Sequence, residues 1–301
     1  MRIRIAPRIA AAWPDDERHD GLALARDLQA LAEQRVRRRT LGWLLGAGAA
    51  GLLGCGGSGA EDSANAATTG SSGSTDTGST SSTSASCVAV PQETAGPYPG
   101  DGSNLSRGTV ANALNLSGVA RSDIRASFAG ATGVAQGVPM TVTLQLVDSN
   151  SSCADLAGYA VYLWHCDRDG DYSMYSANVT SENYLRGVQV SDANGQVSFT
   201  TIFPGCYSGR MPHMHFEVFR SAAAATAGAN ALRTSQLAFP TDVCSTVYDT
   251  ASGYGASVRN FAAISFATDN VFSDGVSTQL ATVTGSVSAG YAAALTVGLP
   301  A

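Results

Sequence analysis

The chain has 301 residues, 44% apolar and 14% charged, which is enough apolar material for one or two folded domains and too much for wholesale disorder. Its 18 basic residues are all arginine, nine of them ahead of residue 55, so the remainder sets nine arginines against 18 acidic residues. Such a negative body repels polyphosphate, which excludes a nucleic-acid partner, and the longest apolar run, Leu41 to Leu53, falls short of the roughly 20 residues of a spanning helix.

Arg37-Arg38-Arg39-Thr40-Leu41 stands before that run, which closes on Leu52-Leu53-Gly54-Cys55. A positive region, a short apolar stretch and small residues at its end predict an export signal over residues 1–54. Paired arginines before a Gly-rich, weakly hydrophobic run resemble a twin-arginine signal, and the ending resembles a bacterial lipobox. That resemblance implies a lipid anchor on Cys55 as the only membrane contact, and an envelope lipoprotein or secreted protein. A buried helix of another domain is the competing reading, but the run lacks an amphipathic period. Residues 55–86 are nearly all Gly, Ser, Thr, Ala and Asn and read as a flexible linker.

From 87 to 301 strand signals dominate. Met140–Val147 alternates strictly, with Val142, Leu144 and Leu146 on one face and Thr141, Thr143 and Gln145 on the other. Tyr159–Trp164 reads as a buried strand, and Val197–Ile202 follows an Asn194-Gly195 turn. Pro212–Phe219, Thr234–Phe239 and Leu280–Val287 are further short strands, whereas the Ala-rich stretch 222–232 reads as a loop. Short strands between Gly-rich turns predict an all-β fold, an antiparallel β-sandwich. Cys87, Cys153, Cys166, Cys206 and Cys244 are odd in number, so at least one thiol stays unpaired; their spacing fits no zinc pattern.

Pro212-His213-Met214-His215-Phe216-Glu217 places His213 and His215 on one strand face, roughly 6.5–7 Å apart along the strand, a spacing at which two imidazoles can share one metal ion. Taken alone, the pair could equally be structural. Upstream, Phe203-Pro204-Gly205-Cys206-Tyr207 makes a tight turn that presents Tyr207. Further upstream, Trp164-His165-Cys166-Asp167-Arg168-Asp169-Gly170-Asp171-Tyr172 leaves a strand through an Asp-Gly turn. Phenolate oxygen with imidazole nitrogen suits a hard trivalent cation such as Fe(III). Tyr175 and Tyr184 are alternative phenols to Tyr172. His165 reads as structural, Trp164 as core or pocket wall, and Arg186 as a turn or surface charge rather than a substrate anchor. The aspartates at 167, 169 and 171 do not fit the EF-hand spacing for calcium.

These motifs together resemble the intradiol ring-cleavage dioxygenases, the catechol and protocatechuate dioxygenase type, and most of all their exported branch. In that family the first tyrosine follows a tryptophan by eight residues, as Tyr172 follows Trp164. The second follows Pro-Gly-x, as Tyr207 does. A His-x-His carries an arginine three residues ahead, as His213 and His215 follow Arg210. Here Arg210-Met211-Pro212-His213 permutes the usual Arg-Pro-x-His. Thr234-Ser235-Gln236 stands where the family has a supporting glutamine, and Glu93-Thr94-Ala95-Gly96-Pro97-Tyr98 resembles its opening motif. Leu185-Arg186-Gly187 and Asp192-Ala193-Asn194-Gly195 match its turns.

The resemblance spans 88–297 and implies a non-haem Fe(III) held by Tyr172, Tyr207, His213 and His215. It implies a catechol-type aromatic and O2 as substrates, with both oxygen atoms ending in a cis,cis-muconate-type diacid. Tyr207 would leave the metal and take a substrate proton, Arg210 would stabilise negative charge developing on the ring, and Gln236 would assist. The competing reading is a lipid-anchored β-sandwich binding module without turnover, because a shared fold does not fix function.

Overall fold

A computed structural model describes residues 87–301, so the predicted export signal, linker and Cys55 lie outside the described residues. The strand signals are realised as β3 (Pro139–Asp148), β5 (Ala160–Trp164), β7 (Gln196–Ile202), β8 (His213–Phe219), β9 (Arg233–Ala238) and β10 (Thr282–Ser286). Five strands come in addition: β1 (Asp101–Ser106), β2 (Thr109–Asn112), β4 (Ala154–Asp155), β6 (Arg186–Val190) and β11 (Gly290–Leu299).

β1 and β2 form a hairpin, one sheet runs β10-β11-β3-β4 with β7 also on β3, and the other runs β6-β5-β8-β9. The pairings are antiparallel except that β11 lies parallel to β3, a departure from the all-antiparallel expectation. The alternation read in β3 holds: Val142, Leu144 and Leu146 enter the core with Phe199, Val161, Leu163, Met214, Phe216, Val218 and Val297. This is the sandwich interior, and burial of such side chains contributes about 25 cal/mol per Å² of apolar surface.

The second sheet is covered on its other face too, which is why β5 and β8 are buried along their whole length. That covered face carries Tyr162 and Trp164 from β5, packed with Ala113, Leu114 and Tyr172, and His213, His215 and Glu217 from β8. In register across the sheet, Arg186, Trp164, His215 and Gln236 form one cross-strand row.

Two helices were not anticipated, α1 (Thr241–Thr250) and α2 (Gly255–Ala262), and the Ala-rich stretch holds the 3-10 turns Ala222–Ala224 and Gly228–Asn230. α1 buries Cys244, Val247 and Tyr248, a one-sided spacing disguised by β-branched Thr and Val of low helix propensity. Cys87 and Cys153 form a disulfide, and Cys166, Cys206 and Cys244 are free and buried. Among the described residues no helix is long and apolar enough to cross a membrane.

Candidate active site

Three stretches bring the tyrosines and histidines together. Strand alternation in β8 puts His213 and His215 on the covered face, with Nε2 atoms 3.1 Å apart. His213 Nδ1 lies 2.6 Å from the Met211 carbonyl. A carbonyl only accepts, so Nδ1 carries the hydrogen and Nε2 presents its lone pair. Tyr207 brings its hydroxyl to 3.2 Å from that same Nε2.

The turn before Tyr207 needs glycine: a Cβ on Gly205 would stand 2.6 Å from the Arg168 carbonyl oxygen and 2.8 Å from that of Asp167. Asp167 organises the other approach. Its Oδ1 accepts the Asp169 and Asp171 amides, each at 3.0 Å, and its Oδ2 accepts the Tyr184 hydroxyl at 2.9 Å. Burial, partly offset by these bonds, raises its carboxyl to about 6. The chain then delivers Tyr172, whose ring stands edge-on to Tyr207 at 5.8 Å and to His215 at 6.3 Å. The Tyr172 hydroxyl is buried and has no hydrogen-bond partner of standard geometry.

The alternative phenols are engaged elsewhere. The Tyr175 hydroxyl donates to Asn104 Oδ1 at 2.6 Å and accepts the Gly100 amide, while Tyr184 serves Asp167. His165 is structural as expected, with one ring nitrogen on the Cys166 carbonyl and the other on the Thr201 hydroxyl. Trp164 is fully buried and stacks on His215 at 4.9 Å with 6° between planes. Glu217, third along the His face, instead adjoins the Asp101 carboxyl and the Thr234 hydroxyl.

Arg210 is buried and donates Nε to Asp269 Oδ2 at 3.0 Å and Nη2 to Gln236 Oε1 at 2.7 Å. Gln236 in turn donates to the Thr94 carbonyl, tying the opening motif to the site. Asp269 was not legible in the sequence. It stands 59 residues from Arg210 and in no motif, although its position two and three residues before the amides it accepts, Val271 and Phe272, is an Asx-turn pattern. Arg186 corrects the expectation of a turn or surface charge: it is 1% exposed and fully engaged within the fold. It opens β6, where it shares a face with Trp164.

Burial is the leading cause of every shift in the cluster. It holds both imidazoles well below their ordinary value, with Arg210 adding to the effect, and His213 also acting on His215. It pushes the Tyr172 phenol well above its own, and the Tyr207 phenol adds to that. The imidazoles are thus neutral and ligand-ready, and a buried phenolate at Tyr172 requires a cation beside it. Among the described residues no group of three or more His, Cys, Asp or Glu could hold a metal, so any metal here would draw on the phenols. A buried phenol without a standard hydrogen bond, set beside two neutral imidazoles, fits a hard cation.

Residues 119–244 match the model of a family described as dioxygenase. An intradiol ring-cleavage dioxygenase from Tetranychus urticae aligns at 26% identity over 60% of this chain and 87% of its own, with a TM-score of 0.49. A further dioxygenase crystal structure aligns with the same identity and coverage and a TM-score of 0.50. The chain is similar to the intradiol ring-cleavage dioxygenases and shares their fold. The 3-chlorocatechol 1,2-dioxygenase of Rhodococcus opacus 1CP is similar at 18% identity over 69% of this chain and 70% of its own, TM-score 0.41. The intradiol dioxygenase family uses non-haem Fe(III), and the tyrosines and histidines gathered here are of the donor types such an ion takes.

Proposed function

We propose that this protein is a non-haem Fe(III) intradiol dioxygenase that inserts both atoms of O2 into a catechol-type aromatic, giving a cis,cis-muconate-type diacid. The observation that carries the reading is the Tyr207 hydroxyl 3.2 Å from His213 Nε2, itself 3.1 Å from His215 Nε2, against the buried Tyr172 hydroxyl, which has no hydrogen bond of standard geometry. Tyr172, Tyr207, His213 and His215 would hold the metal. Bound there, Fe(III) supplies Lewis acidity toward a chelating catechol.

The chain's own residues do the rest. Tyr207 is the half-buried phenol of the pair, while Tyr172 is buried, so Tyr207 is the one placed to meet an incoming catechol and take its proton at Oη. Tyr172, sunk against Trp164 and Cys166, stays in place. Arg210, oriented by Asp269 and Gln236, offers a fixed positive charge where negative charge develops on the ring. Trp164 stacked on His215, Tyr98 against Tyr172 and Phe272 beside His213 exclude water. Exported location is part of the proposal: the Cys87–Cys153 disulfide suits an oxidising compartment.

The test is oxygen uptake by the iron-loaded protein with a panel of catechols, with product identification by mass. The expected product is heavier than its catechol by both atoms of O2 and opened between the hydroxyl-bearing carbons. Iron-loaded protein that consumes no oxygen with any catechol would favour the binding-module reading.

A further inference from the structure

We propose that Arg186 is a positioning residue for Tyr172, holding that phenol from two sides through Ser173 and Tyr98; this rests on the metal-binding role proposed for Tyr172. Arg186 stands in the cross-strand row of Trp164, His215 and Gln236. Every N–H of its guanidinium is used. Nε donates to Ser173 Oγ at 3.1 Å. Nη1 donates to the Pro99 carbonyl at 2.7 Å and the Tyr162 hydroxyl at 3.2 Å. Nη2 donates to the Tyr98 and Ser173 carbonyls, both at 2.9 Å. A guanidinium has five donors, so none is left for a substrate group.

All five acceptors are neutral, and among the described residues no carboxylate pairs with this arginine. Burying a charge in that way is costly unless its donors are satisfied, and here they converge on two segments that both touch Tyr172. Ser173 is its covalent neighbour, so fixing the Ser173 carbonyl and hydroxyl fixes the backbone that aims the phenol. Tyr98 lays its ring 5.1 Å from the Tyr172 ring. Gly100 lets the covering segment pass: a Cβ there would sit 2.8 Å from Arg186 Nη1, and its φ is +62°. A lysine would keep the charge but offers three donors on a flexible stem and no planar fork.

The experiment compares wild type, Arg186→Lys and Ser173→Ala, each loaded with Fe(III). It reads the phenolate-to-iron absorption band, iron retained against a chelator, and the melting temperature. Arg186→Lys is expected to shift or weaken the band and to lower iron retention roughly tenfold or more, as loss of a ligand's outer support does. Ser173→Ala, which removes the Nε partner together with the hydroxyl's own bond to the Tyr184 carbonyl at 2.7 Å, should change both in the same direction by less. Folded Arg186→Lys with a wild-type band and wild-type retention overturns the proposal. If Arg186→Lys does not fold, Ser173→Ala decides: an unchanged band and retention there overturn it equally. Wild type that takes up no Fe(III) overturns the metal reading itself, a different outcome from a wild type that binds iron alongside unaffected variants.

Discussion

Asp269 and Arg210 form an ion pair inside the protein, Oδ2 to Nε at 3.0 Å with side chains 0% and 2% exposed. The same carboxylate accepts the Met211, Val271 and Phe272 amides. It therefore fixes the arginine and the backbone that leads into His213 with one group. Asp269→Asn keeps the shape and removes the charge. Losing one partner of a buried pair costs about 3–5 kcal/mol, so the melting temperature should drop. Turnover of the iron-loaded variant should fall at least tenfold, because Arg210 loses its orientation. Wild-type turnover in steady-state oxygen uptake would show that Asp269 serves stability alone.

Phenolate bound to Fe(III) absorbs visible light, so the iron-loaded protein should be burgundy. Tyr172→Phe and Tyr207→Phe should each change or bleach the band, and Tyr172→Phe and His215→Ala should each abolish iron retention or turnover while leaving the sandwich folded. Visible spectra with iron content per chain, beside far-ultraviolet dichroism, check this. A colourless wild type carrying stoichiometric iron contradicts it.

Asp167 gives a pH prediction. Burial lifts its folded carboxyl from 3.8 to about 6. Between those values the folded state binds the proton that the unfolded state has released, so stability falls as pH rises from about 4 to about 6 and levels off above. The loss is on the order of 3 kcal/mol. Asp167→Asn should flatten that part of the profile, read by denaturant unfolding at stepped pH. An unchanged slope would assign the dependence to other groups.

The Cys87–Cys153 disulfide closes a separation of 66 residues, worth about 4 kcal/mol by loop-closure entropy. Cys87→Ser with Cys153→Ser should lower stability by up to that amount while leaving the visible band of the iron-loaded protein unaltered. A changed band would couple the bridge to the site.

The residues that meet at the candidate site were legible in the sequence because they sit in rigid, local patterns. Alternation in β8 fixes where His213 and His215 face, and Pro204-Gly205 fixes the turn before Tyr207. The supports were not legible. Asp269 and Arg186 act across long separations, on partners such as Arg210 and the Tyr98 carbonyl that no spacing rule links to them. α1 hid behind β-branched residues and lacks a side-chain N-cap bond, and β11 is rich in Ala and Gly, residues depleted in strands. Charge on Arg186 suggested solvent, and only the count of its acceptors reverses that.

The bridge between Cys87 and Cys153 also marks one end of the described domain. The Cys153 amide donates to the carbonyl of Asp148, the last residue of β3, whereas Phe203, on the way to Tyr207, donates to Val138 just before its first. The ten residues of β3 thus separate the two ends by on the order of 30 Å. The polypeptide ahead of Cys87 therefore joins the described domain at the end of β3 remote from the turn that leads to Tyr207, so anything fastened to that leading stretch would stand away from the candidate site.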